Sequence, residues 1–264
     1  NVSRENCFMA EKVKERVQIL RQEEIAPEIY SLWIQTDQIA EYAKAGQFVS
    51  IYCDDKSRML PRPISICEID KKKGALRMVY RIAGKGTEEF SKKKAGDSLD
   101  VLGPLGNGFP LKEKKAFLIG GGIGIPPLLE LAKQLKCEKQ IVLGYRDSHT
   151  FLLEELKEQG SVYIATENGS LGTRGNVIDA IRANHLEADI IYACGPTPML
   201  RALKDFAGEQ QMECWISMEE KMACGIGACL ACVCRSAEVD AHTNVHNKRV
   251  CKEGPVFDAR EVEL

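Results

Sequence analysis

The 264 residues hold 36 Lys plus Arg against 38 Asp plus Glu, a formal net charge of −2, with 44% hydrophobic and 28% charged residues. That balance describes an ordinary globular chain of about two domains and a small appendage, and without a net cationic field neither nucleic acid nor anionic membrane is an expected partner. The longest apolar tract, residues 116–132, is broken by Gly120, Gly121, Gly122, Gly124, Pro126 and Pro127, too densely for a membrane-spanning helix.

In chain order, residues 1–8 read differently from the charged, periodic segment after Met9 and are set aside as an extension. The N-terminus shows no apolar signal-peptide core, and the 11 Cys are an odd number spread over strand-like runs and one cluster, which predicts a reducing cytoplasm. Between residues 12 and 109, short β-type runs at 16–20, 29–34, 48–52, 64–69, 76–81 and 98–102 predict a small antiparallel β-barrel. One helix is expected at 86–91, with Thr87 as its N-cap and its start facing an anion. From residue 116 the rhythm changes to strand then helix: strands at 116–119, 140–144, 161–166, 189–193 and 213–218, helices at 126–135, 152–159, 176–183 and 197–209. This alternation predicts a Rossmann-like α/β domain with a parallel sheet. The resulting multidomain division is 12–112, 113–218 and a small cysteine-rich module at 219–264.

In the first unit, Arg62-Pro63-Ile64-Ser65 stands at a strand start, and Gly84-Lys85-Gly86-Thr87 follows Tyr80-Arg81 and opens the expected helix. Together they suggest a flavin cradle. Arg62 would neutralise a diphosphate, Ser65 would hydrogen-bond the flavin ring, and glycines before a helix leave N–H groups free for phosphate oxygens. A proline turn and a glycine turn are the plainer reading of either motif taken alone; their order, followed by the glycine-rich segment 103–109, favours the cradle.

In the second unit, the turn from Gly120 to Pro127 follows an apolar strand and precedes a helix, the context that a dinucleotide turn requires. Gly122 and Gly124 act as its first two glycines, and Pro127 replaces the third at a position where a helix tolerates proline. Cys194-Gly195-Pro196-Thr197-Pro198-Met199 ends another strand at the same sheet edge, where α/β ligands bind, and resembles a Cys-Gly-Pro-x-Pro-Met nicotinamide motif; the resemblance implies that Cys194 shapes the pocket rather than acts as a nucleophile. Asp147 is suited to a ribose 2′-hydroxyl, although its neighbour Arg146 argues the other way.

In the third unit, Cys224, Cys229, Cys232 and Cys251 form a C-x4-C-x2-C…C array, the ligand spacing of a plant-type [2Fe-2S] centre. Gly225, Gly227, Ala228 and Ala231 let the backbone wrap closely around inorganic sulfide. A structural zinc site, which favours short ligand pairs, is the competing reading, and Cys234 is the competing ligand beside Cys232. His149, His185, His242 and His246 read as surface or loop residues; His242 and His246, near the cluster segment, are the two to test as alternative iron ligands.

The first two units resemble the ferredoxin-NADP reductase superfamily, whose barrel carries an Arg-x-Tyr-Ser type motif ahead of a nicotinamide-binding domain with a Cys-Gly-Pro-x-Pro-Met motif. Ile64 stands where many members have a stacking tyrosine. With the segments 217–229 and 250–258 added, the whole chain resembles the electron-transfer subunits of dihydroorotate dehydrogenase B. The resemblance implies FAD, a [2Fe-2S] cluster and NAD as cofactors. It also implies a separate FMN-containing dihydroorotate dehydrogenase catalytic subunit as partner, as a heterotetramer with two copies of each, in pyrimidine biosynthesis. NAD rather than NADP follows mainly from this resemblance. An NADH-dependent ferredoxin or sulfide-linked oxidoreductase subunit is the nearer alternative, and a non-catalytic zinc-binding module the more distant one.

Overall fold

A computed structural model describes residues 12–239 and 244–264; residues 1–8 and His242 lie outside the described residues. The chain opens with β1 (Val13–Ala26), β2 (Ile29–Gln35), a single-turn α1 (Ile39–Tyr42), β3 (Phe48–Tyr52), β4 (Arg62–Asp70), β5 (Ala75–Arg81), α2 (Lys85–Ser91) and β6 (Ser98–Leu105). Six strands close into a barrel in the order β1-β2-β5-β4-β3-β6. Alternation drives this closure: Val17 and Ile19 of β1 and Val49 and Ile51 of β3 enter the barrel core with Leu32, Leu76 and Met78. β1 extends well past the expected run because it pairs with both β2 and β6, and two register shifts let it bend between them.

The start of α2 corrects one expectation. Gly84 is its N-cap, and Thr87 lies at the third helical position. From there its hydroxyl reaches back to accept from the N–H of Ala83 at 2.9 Å and of Gly84 at 3.3 Å. Thr87 therefore caps the turn from inside, as the distal member of a capping arrangement does.

The second unit runs β7 (Ala116–Gly121), a 3-10 turn (Gly122–Gly124), α3 (Pro127–Gln134), β8 (Lys139–Tyr145), α4 (Leu153–Lys157), β9 (Ser161–Thr166), β10 (Thr173–Arg174), α5 (Val177–Ala183), β11 (Ile190–Cys194), α6 (Thr197–Glu209) and β12 (Glu213–Ser217). All six residues of β7 are buried, as a central strand covered by helices on both faces must be. The last segment adds β13 (Val233–Cys234), β14 (Lys248–Arg249) and β15 (Val256–Asp258). β15 pairs antiparallel with β12 and completes a seven-stranded sheet of order β10-β9-β8-β7-β11-β12-β15. The cysteine-rich segment is thus stitched into the nucleotide-type sheet by main-chain bonds.

Burial ties the three parts together. Phe48 and Leu105 of the barrel share one core with Ile119 and Ile216 of the sheet and with Cys232 and Cys251. A second core joins Val79 of the barrel and Phe109 of the segment after β6 to Leu128 and Leu131 of α3. Across that seam the buried Glu130 carboxylate accepts from the Ile69 N–H at 2.8 Å. No helix among the described residues is long and apolar enough to cross a membrane.

Candidate functional site

The strand order places β7 between β8 and β11, with the chain winding outward to β9 on one side and to β12 on the other. The crevice at the carboxyl ends of β7 and β11 is therefore the topological switch point, where open α/β sheets take their ligands. Both sequence motifs end there, and Cys194 pairs in register with Gly120. Their loops interlock. A Cβ on Gly124 would stand 2.4 Å from the Cys194 carbonyl oxygen, and one on Gly195 would stand 3.1 Å from the Gly121 backbone nitrogen. Only hydrogen at these α-carbons allows the two turns to meet. Burial pushes the Cys194 thiol up to about 12, against a hydrogen bond with Ser217 that pulls it down, so the sulfur is a neutral thiol at physiological pH. Pro196 is exposed at the rim of the crevice. Asp147 follows β8 on the same edge and accepts from the His149 backbone N–H and is bonded to its Nδ1, each at 2.8 Å. These two bonds hold its carboxyl below the usual range.

One barrel motif residue reaches toward this crevice. Arg81, exposed at the end of β5, reaches across to the glycine turn: a Cβ on Gly122, whose φ is +52°, would lie 3.9 Å from the Arg81 Nη2. Arg62 folds over the start of α2, where a Cβ on Gly86 would stand 2.4 Å from its Nε, and its Nη1 donates to the Leu60 carbonyl. Gly84 faces open space, with nothing within 4 Å of its Cβ direction. A guanidinium beside an uncovered glycine loop suits a diphosphate in charge and in room. Pro63, Ile64 and Ser65 lie half-buried along β4, with Ile64 packed against the barrel core. Tyr80 is the cradle residue whose side chain turns away. It is 1% exposed, stacks on Tyr30 with ring centroids 5.8 Å apart, and its hydroxyl donates to the Gln22 Oε1 at 3.1 Å.

At the far side of β3 and β6 lies the cysteine loop. Cys232 and Cys251 are buried, Cys224 is half-buried and Cys229 is exposed. The Cys224 sulfur accepts from the backbone N–H of Ile226 at 3.4 Å and of Ala228 at 3.3 Å, and the Cys251 sulfur accepts from Gly227 at 3.1 Å. Gly225 and Gly227, at φ of +69° and +85°, make the reversals that aim these donors. Burial pushes the Cys224 thiol up, but the N–H groups around it outweigh burial and bring it down to about 6. The Cys232 sulfur accepts from the backbone N–H of Cys251 at 3.4 Å. Cys234 lies on β13, opposite Lys248, with its thiol pushed up to about 11 chiefly by burial. Among the described residues no three His, Cys, Asp or Glu side chains converge on one ion position. A two-iron cluster makes no such demand, since its four thiolates divide two to each iron. Four cysteines, with backbone donors to the sulfurs of Cys224, Cys232 and Cys251, fit an iron-sulfur centre. His246 is committed to the Ser236 carbonyl at 3.1 Å, away from the thiols.

Residues that sequence reasoning did not single out hold this loop. Arg249 donates to the Gly227 carbonyl at 3.0 Å while its Nε engages Glu253 at 3.0 Å. Asn107, after β6, donates its backbone N–H to the Gly254 carbonyl at 2.6 Å and its side-chain amide to Glu253 at 2.8 Å. The segment 103–109 thereby joins barrel to cysteine loop, a connection that no local pattern announces.

Comparison with known proteins agrees with this geometry. Residues 219–263 match the iron-sulfur cluster binding domain of dihydroorotate dehydrogenase B, and residues 118–205 match the oxidoreductase NAD-binding domain. The dihydroorotate dehydrogenase B (NAD(+)) electron transfer subunit of Geobacillus kaustophilus is 44% identical over 260 residues, 95% of this chain and 99% of that one. Its counterpart from Streptococcus mutans is 43% identical over 261 residues, 96% of this chain and 99% of that one. A solved structure of an NADH-dependent reduced ferredoxin-NADP oxidoreductase superposes with a TM-score of 0.85 at 31% identity, covering 94% of this chain and 90% of that one. A Neisseria gonorrhoeae ferredoxin NADP+ reductase shares the fold, with a TM-score of 0.61 at 17% identity over 76% of this chain and 92% of that one. With identity sustained along nearly its whole length, the chain belongs to the family of dihydroorotate dehydrogenase B (NAD(+)) electron transfer subunits.

Proposed function

We propose that this chain carries electrons from an FMN-containing dihydroorotate dehydrogenase catalytic subunit to NAD+ in pyrimidine biosynthesis, using a [2Fe-2S] cluster and FAD, in the cytoplasm and as a heterotetramer of two copies of each subunit. When bound, the cluster exchanges single electrons, the flavin one or two, and the nicotinamide a hydride, so the protein's task is to hold them in order. Cys224, Cys229, Cys232 and Cys251 would be the iron ligands. Arg62 would neutralise the flavin diphosphate beside Gly84, Gly86 and Thr87, with Pro63, Ile64, Ser65, the backbone of Tyr80 and the side chain of Arg81 lining the rest of the cradle. The turn of Gly122 and Gly124 would receive the dinucleotide, Cys194, Gly195 and Pro196 its nicotinamide end, and Asp147 the 2′-hydroxyl of its adenosine ribose. The working units are 12–112, 113–218 and 219–264, the last lending β15 to the sheet of the second.

The observation that carries this reading is the approach of the cysteine loop to β3. A Cβ on Gly225, next to Cys224, would lie 3.0 Å from the Ser50 hydroxyl, and Ser50 pairs in register with Pro63 of the flavin-type motif. One strand therefore backs both candidate cofactor sites. The exposed rim of the loop, with Ile226 and Leu230 at 44% and 59% exposure, supports an exit toward another protein.

Purified chain should oxidise NADH with an artificial acceptor yet leave dihydroorotate untouched. Mixing it with an FMN-containing dihydroorotate dehydrogenase subunit should restore dihydroorotate-to-NAD+ activity together with complex formation. Unaided dihydroorotate oxidation, or no complex, would overturn the assignment. The NADH-dependent ferredoxin reading, favoured by the 31% identical structure, would then take its place.

A further inference from the structure

Ser50 is 1% exposed, and its hydroxyl oxygen has no hydrogen-bond partner among the described residues. Buried hydroxyls without partners are rare because desolvation is then left uncompensated, and an alanine would fill the same place on β3 without that cost. The flanking Val49 and Ile51 point into the barrel core, so Ser50 points out of it. What covers it is the ligand loop. Gly225 presses on it so closely that a Cβ there would stand 3.0 Å from the hydroxyl and 3.2 Å from the Leu105 Cδ1. Directly opposite on β4 is Pro63, whose side chain offers no acceptor. The acceptor for this hydroxyl is thus a group that belongs on the loop side.

We propose that the Ser50 hydroxyl donates a hydrogen bond to a sulfur of the iron-sulfur centre bound at Cys224 and thereby raises the reduction potential of that centre. The loop's own donors already follow this pattern: the N–H groups of Ile226 and Ala228 point at the Cys224 sulfur and that of Gly227 at the Cys251 sulfur. Ser50 supplies the donor from the barrel side. Reduction adds a negative charge that spreads over the sulfurs, so each donor stabilises the reduced form more than the oxidised one. Because β3 also backs the Arg62–Ser65 motif, the same strand that supports the flavin cradle sets the driving force of its neighbour.

The inference rests on the cluster reading above, and the test separates the two. Ser50→Ala in the full chain, reconstituted with its cofactors, is assayed for iron and sulfide and titrated for both cluster and flavin potentials, with the cluster followed by electron paramagnetic resonance. The expected result is unchanged iron, sulfide and flavin potential. The cluster midpoint should fall by an amount on the order of tenfold in the oxidised-to-reduced equilibrium, about 59 mV for a one-electron couple. In D2O, the exchangeable-deuteron coupling of wild type should lose one component in the variant. An unchanged cluster potential, or a shift confined to the flavin, overturns the role of Ser50 while leaving the cluster in place. Absence of iron and sulfide from wild type as well overturns the cluster reading itself.

Discussion

The α-carbon of Gly124 lies against the carbonyl of Cys194, so that any Cβ at position 124 would stand 2.4 Å from that oxygen. Two loops from neighbouring parallel strands are thereby locked at one height, and the crevice proposed for the nicotinamide owes its floor to that lock. Gly124→Ala must push the turns apart, and displacements of about 1 Å in a site of this kind cost about 100-fold in rate. Flavin reduction by NADH, followed by stopped flow, should slow by that order while flavin and cluster absorbance persist. A variant reduced at the wild-type rate would show that the crevice does not hold the nicotinamide.

Serine replacement of Cys224, Cys229, Cys232 or Cys251 should abolish or destabilise the cluster, read as iron and sulfide content, whereas Cys234→Ser should keep it. The four are not equivalent structurally. Cys232 and Cys251 are buried in the core that includes Phe48 and Leu105, so their variants should also lower the melting temperature, and the variant of the exposed Cys229 should do so least. Equal iron loss at Cys234 would reassign the ligand set.

These residues also show what a sequence can and cannot disclose. Ligand spacing, the glycine turn after β7 and the alternation of Val17 and Ile19 are local patterns, and each acts within one turn or one strand. Thr87 is seen from the sequence but misplaced, since a threonine suits the N-cap and the third helical position alike and only the backbone distinguishes them. Tyr80 fails for another reason: the motif marks its position at the strand end, while its ring is claimed by Tyr30, Phe90 and Gln22. β15 pairs with β12 across the whole cysteine loop, and Asn107 bonds to Glu253 across a separation of 146 positions. Such pairings leave no local trace. Ser50 reads as an ordinary outward strand residue until the loop that covers it is in place.

Arg62 and Gly86 give a test of the diphosphate assignment that leaves the charge intact. A methyl group at position 86 would stand 2.4 Å from the Arg62 Nε and must displace the guanidinium from α2. Gly86→Ala should therefore lose FAD on gel filtration nearly as fully as Arg62→Ala, while the iron content of both stays at the wild-type level. Retention of stoichiometric FAD by both variants would remove Arg62 from the cradle.

The link between barrel and sheet should respond to pH through Glu213. Its carboxylate, on β12, is bonded by Lys112 and by Lys114 at 3.1 Å, both from the segment joining the two units, and accepts from the Trp215 indole at 2.7 Å. Burial alone would raise this carboxyl, but the lysines and the indole prevail and bring it down to about 2 from an ordinary 4.5. A depressed folded-state value means that protons bind the unfolded chain first as pH falls. The stabilisation is complete above about 4.5 and disappears as pH drops toward 2. Glu213→Gln should accordingly lower stability at pH 7 by roughly 2 kcal/mol, the scale of a charge-assisted hydrogen bond. The gap in melting temperature between wild type and variant, measured by circular dichroism, should hold steady from pH 7 to about 5 and narrow below it. A gap that persists undiminished at pH 3 would mean that the carboxylate acts by shape, and that the lysines of the link do not depend on its charge.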